Sequence, residues 1–259
     1  MRRPGGRMFA LGVVMAALIL AVAPGAHATL MLSATVGSTN VCAADQNTGC
    51  THGTVIFDTN PEVGVLGFGT TTPISIGGLS VFGSLHTSVK GSPVNPLNIL
   101  SSSSLTVENP TTNPVTATVA ISDTNFTPPV VSALTTGSGT WVTANGSTIT
   151  LQWYNDPQNA QGAETPADRP GVLLATFTDL ASGQLDSFSH NGGPFAVSDL
   201  NPFSMTLAFD LTLTPGAKLI SRGQSELKPV GVAVPEPATL VLLATALGLV
   251  GWRLHRRDR

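Results

Sequence analysis

Charge is scarce in this sequence. Asp, Glu, Lys and Arg make up 10% of its 259 residues, against roughly 25% in an average soluble domain. Between residues 29 and 234 only Lys90, Arg169, Lys218, Arg222 and Lys228 are basic, against thirteen acidic residues, giving this body a net charge of −8. An acidic body repels phosphate backbones, so nucleic acid is excluded as a partner. Histidine in the body is limited to His52, His86 and His190. No His-x-x-x-His or His-Glu-x-x-His spacing occurs, which leaves a zinc hydrolase without support. The Gly-x-Ser-x-Gly elbow of serine hydrolases is missing as well.

Cysteine is nearly absent too. The chain has two, Cys42 and Cys50, too few for a structural zinc site without further ligands. In an exported chain the expectation is a disulfide pinning the short loop between them. Asp45-Gln46-Asn47-Thr48-Gly49 has a faint resemblance to a calcium loop. It lacks the bidentate glutamate that follows in such loops, and a disulfide turn explains it more simply. Neither metal nor cofactor is expected.

Sustained helical periodicity is absent from the body, and Ser and Thr make up about a quarter of it. These residues and glycine are poor helix formers. What is present is period-two alternation. Met205, Leu207, Phe209, Leu211 and Leu213 alternate with Thr, Ala and Asp. Val115–Ile121 and Ile149–Trp153 alternate in the same way, and Leu105 and Val107 begin a strand that ends at Asn109-Pro110. Further strands are expected over 30–36, 54–58, 79–89, 172–178 and 184–189. Asn145-Gly146 is a hairpin turn signal. Residues 155–170 read as an exposed loop, and Gly137-Ser138-Gly139 reads as a turn. The fold class expected is all-β, an antiparallel β-sandwich of immunoglobulin-like or jelly-roll-like type over 29–221, followed by a linker over 222–234.

Candidate chemistry in the body is thin. Asp156, Glu164 and Asp168 fall in the expected loop, but no spacing makes two of them a glycosidase pair. His190 is expected in a solvated loop. Trp153 should face the core, whereas Trp141 and Tyr154 are the aromatics available for an exposed sugar platform. The body is therefore read as non-enzymatic. The alternatives are a secreted carbohydrate-active enzyme or a carbohydrate-binding module.

The ends carry a different kind of information. Arg2, Arg3 and Arg7 precede an uncharged apolar run from Met8 to Ala23, and Ala26-His27-Ala28 offers a small-x-small cleavage site. Residues 1–28 thus read as a secretory signal peptide cut between Ala28 and Thr29 by signal peptidase. Pro4-Gly5-Gly6 after the arginine pair favours the Sec translocon over the twin-arginine route. At the other end, Pro235-Glu236-Pro237 precedes an uncharged run from Ala238 to Trp252. As a helix this run is about 22 Å long, short of the roughly 30 Å hydrocarbon core, and close to spanning once flanking residues snorkel. Arg253, Arg256, Arg257 and Arg259 then stay cytoplasmic by the positive-inside rule.

This order of tripeptide, apolar helix and terminal arginines resembles the PEP-CTERM sorting signal. The resemblance covers 235–259, with a transmembrane helix over 238–252. It implies that Pro235, Glu236 and Pro237 are recognised by exosortase in the inner membrane of a Gram-negative bacterium. It further implies transient anchoring, transfer to the cell surface or extracellular matrix, and exopolysaccharide as a further partner in a biofilm setting.

Overall fold

The computed structural model describes residues 30–69, 72–92 and 97–229. The expected signal helix, with Ala28 and Thr29, lies outside the described residues, as does the expected membrane helix with Pro235, Glu236, Pro237 and the four arginines. Among the described residues no helix is long and apolar enough to cross a membrane.

The described chain is all-β. It opens with β1 (Met31–Val36), β2 (Thr39–Ala44), a single 3-10 turn (Asp45–Asn47), β3 (Thr54–Val55), β4 (Val65–Phe68) and β5 (Ile74–Ile76). Then come β6 (Leu79–Val89), β7 (Asn98–Glu108), β8 (Val115–Phe126), β9 (Val130–Val142) and β10 (Thr148–Asp156). The last four are β11 (Val172–Leu180), β12 (Leu185–Asp199), β13 (Phe203–Leu213) and β14 (Lys218–Lys228).

These strands form two sheets. Sheet A runs β11-β10-β13-β8-β1-β2-β3, and sheet B runs β12-β9-β14-β7-β6-β4 with β5 also on β6. All pairs are antiparallel except β2 with β3. From β7 to β14 the chain crosses between the sheets at every step but β10 to β11, and the resulting orders β7-β14-β9-β12 and β8-β13-β10-β11 are those of a jelly roll. Strands β1 to β6 widen both sheets on one side.

Alternation explains which faces meet. Phe177, Leu151, Phe209, Val119, Ala34 and Val41 are successive register partners across six strands of sheet A. They line one apolar row of the core, because period two puts every second side chain on the inner face. Trp141, Trp153, Phe126, Phe203 and Phe209 are all fully buried. Each large side chain buried this way contributes roughly 1.5–3 kcal/mol.

Three expectations need correction. Residues 222–228 are not linker: they belong to β14, which sits between β7 and β9 in sheet B. Their alternation is hidden because the inward positions include Gly223 and Ser225 rather than large apolar residues. Gly137-Ser138-Gly139 is not a turn but the middle of β9. Strand β7 begins at Asn98, so the serine run 101–104 is strand as well. The disulfide Cys42–Cys50 is present, with the two Cα atoms 5.8 Å apart. A further correction concerns Asn145-Gly146: it lies in the turn between β9 and β10, where Gly146 has the positive φ of 81° that favours glycine, but it closes no hairpin, because β9 belongs to sheet B and β10 to sheet A.

Candidate functional site

The outer face of sheet A is partly covered by its own loop. Residues 157–171 fold back over it, and Gly162 and Ala163 are buried there. Gly162 N–H donates to Ser122 Oγ at 3.2 Å. Arg169 grips the sheet through Asp210, with Nη2–Oδ1 2.7 Å and Nη1–Oδ2 3.0 Å, and also donates to Gln152. This corrects the expectation of a freely exposed loop. The loop carboxylates are engaged locally. Asp156 accepts the Gln158 and Ala160 N–H groups, and Asp168 accepts the Glu164 N–H at 3.4 Å. Glu164 shares a depression of about 370 Å³ with His52, beside Thr118 and Pro166. Among the described residues no three His, Cys, Asp or Glu side chains converge as a metal site.

The aromatics available for a sugar platform are arranged otherwise. Trp141 is fully buried, and its indole N–H donates to Asp179 Oδ2 at 2.7 Å. Tyr154 is half-buried on the outer face of sheet A, away from Trp141. Trp153 faces the core, as alternation requires. His190 lies not in a loop but in β12, with its ring stacked on Trp153 and Phe177 at 5.0 Å each. Burial lowers its pKa below the ordinary imidazole value. The Asp45 loop is also occupied by its own chain: Asp45 Oδ2 accepts the Gly64 N–H at 2.7 Å, and Asp58 accepts from Gln46 and Gly67 N–H groups.

The outer face of sheet B carries an open groove of its own. The groove crosses four strands where His190, Gly137, Gly223 and Ser102 follow one another in register. Its volume is about 310 Å³. The reason for a hollow there lies in the small residues. A Cβ on Gly137 would stand 3.1 Å from Leu151 Cδ1 and 3.3 Å from Trp153 Cζ2. One on Gly223 would stand 3.1 Å from Leu207 Cδ2. The backbones of β9 and β14 therefore lie close against the large side chains of sheet A, and the outside of the sheet is dished at that level.

Hydroxyls, amides, the His190 ring and one cation line this groove. Ser103, Thr136, Ser138, Asn191 and Gln224 line it with Arg222, and no carboxylate does. Arg222 is exposed and forms no ion pair with any described residue. Its neighbours on β14 are already engaged: Lys228 pairs with Glu226 at 3.0 Å, and Lys218 lies over the Phe82 ring. In the sequence this groove is masked, because β14 reads as a linker and the β9 glycines read as a turn. The signal available was Gly223 within the alternating stretch Leu219, Ser221, Gly223, Ser225, Leu227.

The tail has a family likeness of its own. Residues 233–257 match the model of the PEP-CTERM protein-sorting motif. The chain carries a PEP-CTERM sorting motif. The motif implies exosortase as its processing partner and export toward the cell surface or extracellular space of a Gram-negative bacterium. It covers the tripeptide, the apolar run and most of the arginine cluster. No curated protein matches the chain. Three solved structures show distant likeness to this chain. The first is TmCBM61 in complex with beta-1,4-galactotriose, at 10% identity and TM-score 0.32, covering 53% of this chain and 89% of that one. The second is that of infectious bursal disease virus Gx strain, at 11% identity and TM-score 0.30, covering 80% of this chain and 57% of that one. The third is the enzymatically active domain of bacteriophage CBA120 tailspike protein 4, at 10% and 0.26, covering 55% of this chain and 18% of that one. Likeness at this level carries no function from one chain to another.

Proposed function

We propose that this chain is a non-catalytic surface or matrix protein, exported through the Sec route, processed by exosortase, and placed among exopolysaccharide outside the cell. The observation that carries the reading is the sorting motif over 233–257. The N-terminal residues support it, since a basic start, an apolar run and Ala26-His27-Ala28 form a signal peptide pattern. The Cys42–Cys50 bridge suits an oxidising compartment.

Intact-mass measurement on the surface form tests the processing. With exosortase present, the mature chain is expected to begin at Thr29 and to lack Arg253, Arg256, Arg257 and Arg259. Retention of those arginines on the cell-surface form overturns the processing step. The non-catalytic reading has its own check. Purified protein incubated with the host's exopolysaccharide should release reducing ends at the rate of a heat-inactivated sample, and turnover above that level would make the chain an enzyme.

A further inference from the structure

We infer that the groove on the outer face of sheet B binds an acidic polysaccharide, with Arg222 receiving a carboxylate of the glycan. The proposal deepens the surface reading, on which it rests for the place where protein and glycan meet.

The first argument is charge distribution. Of the five basic residues in a body of net charge −8, three (Lys218, Arg222 and Lys228) stand on the outer face of β14. The other two are paired with acids, Lys90 with Asp123 at 3.4 Å and Arg169 with Asp210 at 2.7 Å. Arg222 is the cation of this set that has neither an acid partner nor a ring beneath it among the described residues. A guanidinium lining a groove without carboxylates attracts an anion, and its fork matches a carboxylate with two parallel hydrogen bonds.

The second argument is the lining. The groove's volume of about 310 Å³ lies at the small end of ligand sites, but those sites are mostly apolar, and this one presents Ser103, Thr136, Ser138, Asn191 and Gln224. Hydroxyls and amides suit a ligand that is itself covered with hydroxyls. No Trp, Tyr or Phe ring lines the groove, so a neutral glycan has no such stacking platform there, and the charge must supply the anchor. The groove is also open at the surface of four adjacent strands, which admits a chain passing across rather than a small molecule enclosed. Duplex nucleic acid, with one charge per roughly 1.7 Å, is too densely anionic for an acidic body whose groove offers a single cation. A uronate chain, with one carboxylate per ring, is sparse enough.

The test is affinity electrophoresis of the full chain in detergent through gels containing polygalacturonate, neutral dextran or polyglutamate. Polygalacturonate is expected to retard the protein, dextran to leave it unretarded, and polyglutamate to act weakly. Arg222→Gln should weaken the polygalacturonate interaction by about tenfold or more, the usual scale for a lost charge-assisted contact. Arg222→Lys should keep part of it, and Lys218→Gln, outside the groove, should behave as wild type. Both positions are on an outer strand face, so the variants fold. No retardation by polygalacturonate, equal retardation by polyglutamate, or an Arg222→Gln variant indistinguishable from wild type overturns the proposal. A chain that is processed normally but ignores polygalacturonate loses this inference and keeps the surface reading. Arginines retained on the surface form together with Arg222-dependent binding do the reverse: the processing step falls and the groove's ligand stands.

Discussion

His86 is the residue with the most to lose from protonation. It is fully buried in β6, with Nε2 2.6 Å from Ser84 Oγ and its ring 6.1 Å from that of Phe68. Nδ1 has no partner among the described residues. Burial lowers its pKa from 6.5 to about 3. The folded state therefore binds this proton less readily than the unfolded state. Stability from keeping the ring neutral is complete above pH 6.5 and is lost progressively as pH falls toward 3. Denaturant melts across that window should show a fall of a few kcal/mol that is largely missing in His86→Gln. Taking the difference between the two proteins cancels the contributions of Asp123 and Asp199, whose carboxyl pKa values burial raises. The bridge between Cys42 and Cys50 spans eight positions, and closing so short a loop stabilises by about 2–3 kcal/mol in the chain-entropy model. Thiol labelling of native, unreduced protein should miss both cysteines, and reduction should lower the stability measured in denaturant by that amount. Residue-level reading from the sequence succeeded where chemistry is local, as in the cysteine pair and the turn glycine Gly146. It failed for His190, whose surroundings are made by strands distant in sequence.

Elements with a clear apolar side were legible. Strands β8, β10 and β13 were evident because each alternates apolar residues with mostly polar or small ones such as Thr, Ala, Gln and Asp. Strands β9 and β14 were not, because the residues they turn inward include glycines and serines, which look like loop in one dimension. Their smallness is the complement of Trp153, Leu207 and Phe209 on the facing sheet. Gly223→Val tests this. Its branched side chain meets Leu207 and Phe209, and overpacking of this kind costs about 1–3 kcal/mol. The thermal midpoint should fall even though valine is the better strand former. An unchanged or raised midpoint would mean that the sheets do not approach each other closely at this level. The same variant should push β14 outward and weaken glycan retention.

For the whole molecule, the sequence revealed the fold class and the address more readily than the site. The sandwich follows from alternation, and the jelly-roll order, rather than the immunoglobulin one, emerges only when the crossings between sheets are known. The groove depends on four strands meeting in register, which no local pattern encodes. In the proposed reading the arginines of the tail help to set orientation, since positive segments beside a membrane span stay on the cytoplasmic side. Replacing Arg253, Arg256, Arg257 and Arg259 by Gln should lower the fraction of protein with its body outside, measured by protease accessibility in spheroplasts. A fraction unchanged from wild type would show that the signal peptide alone sets orientation.

Strand β14 is the last of the fourteen to leave the ribosome, yet it lies in the interior of sheet B, between β7 and β9. A chain delivered across a membrane N-terminus first presents β7 and β9 with nothing between them. Both wait with bare hydrogen-bonding edges until the final stretch of the body arrives. The six residues from 229 to 234 separate Lys228 from Pro235 and reach about 20 Å at most. In the proposed reading, zipping of sheet B and arrival of the apolar tail at the bilayer would thus be nearly one event. An exosortase acting near Pro235 would then meet its substrate on a tether that short, directly beside the sandwich.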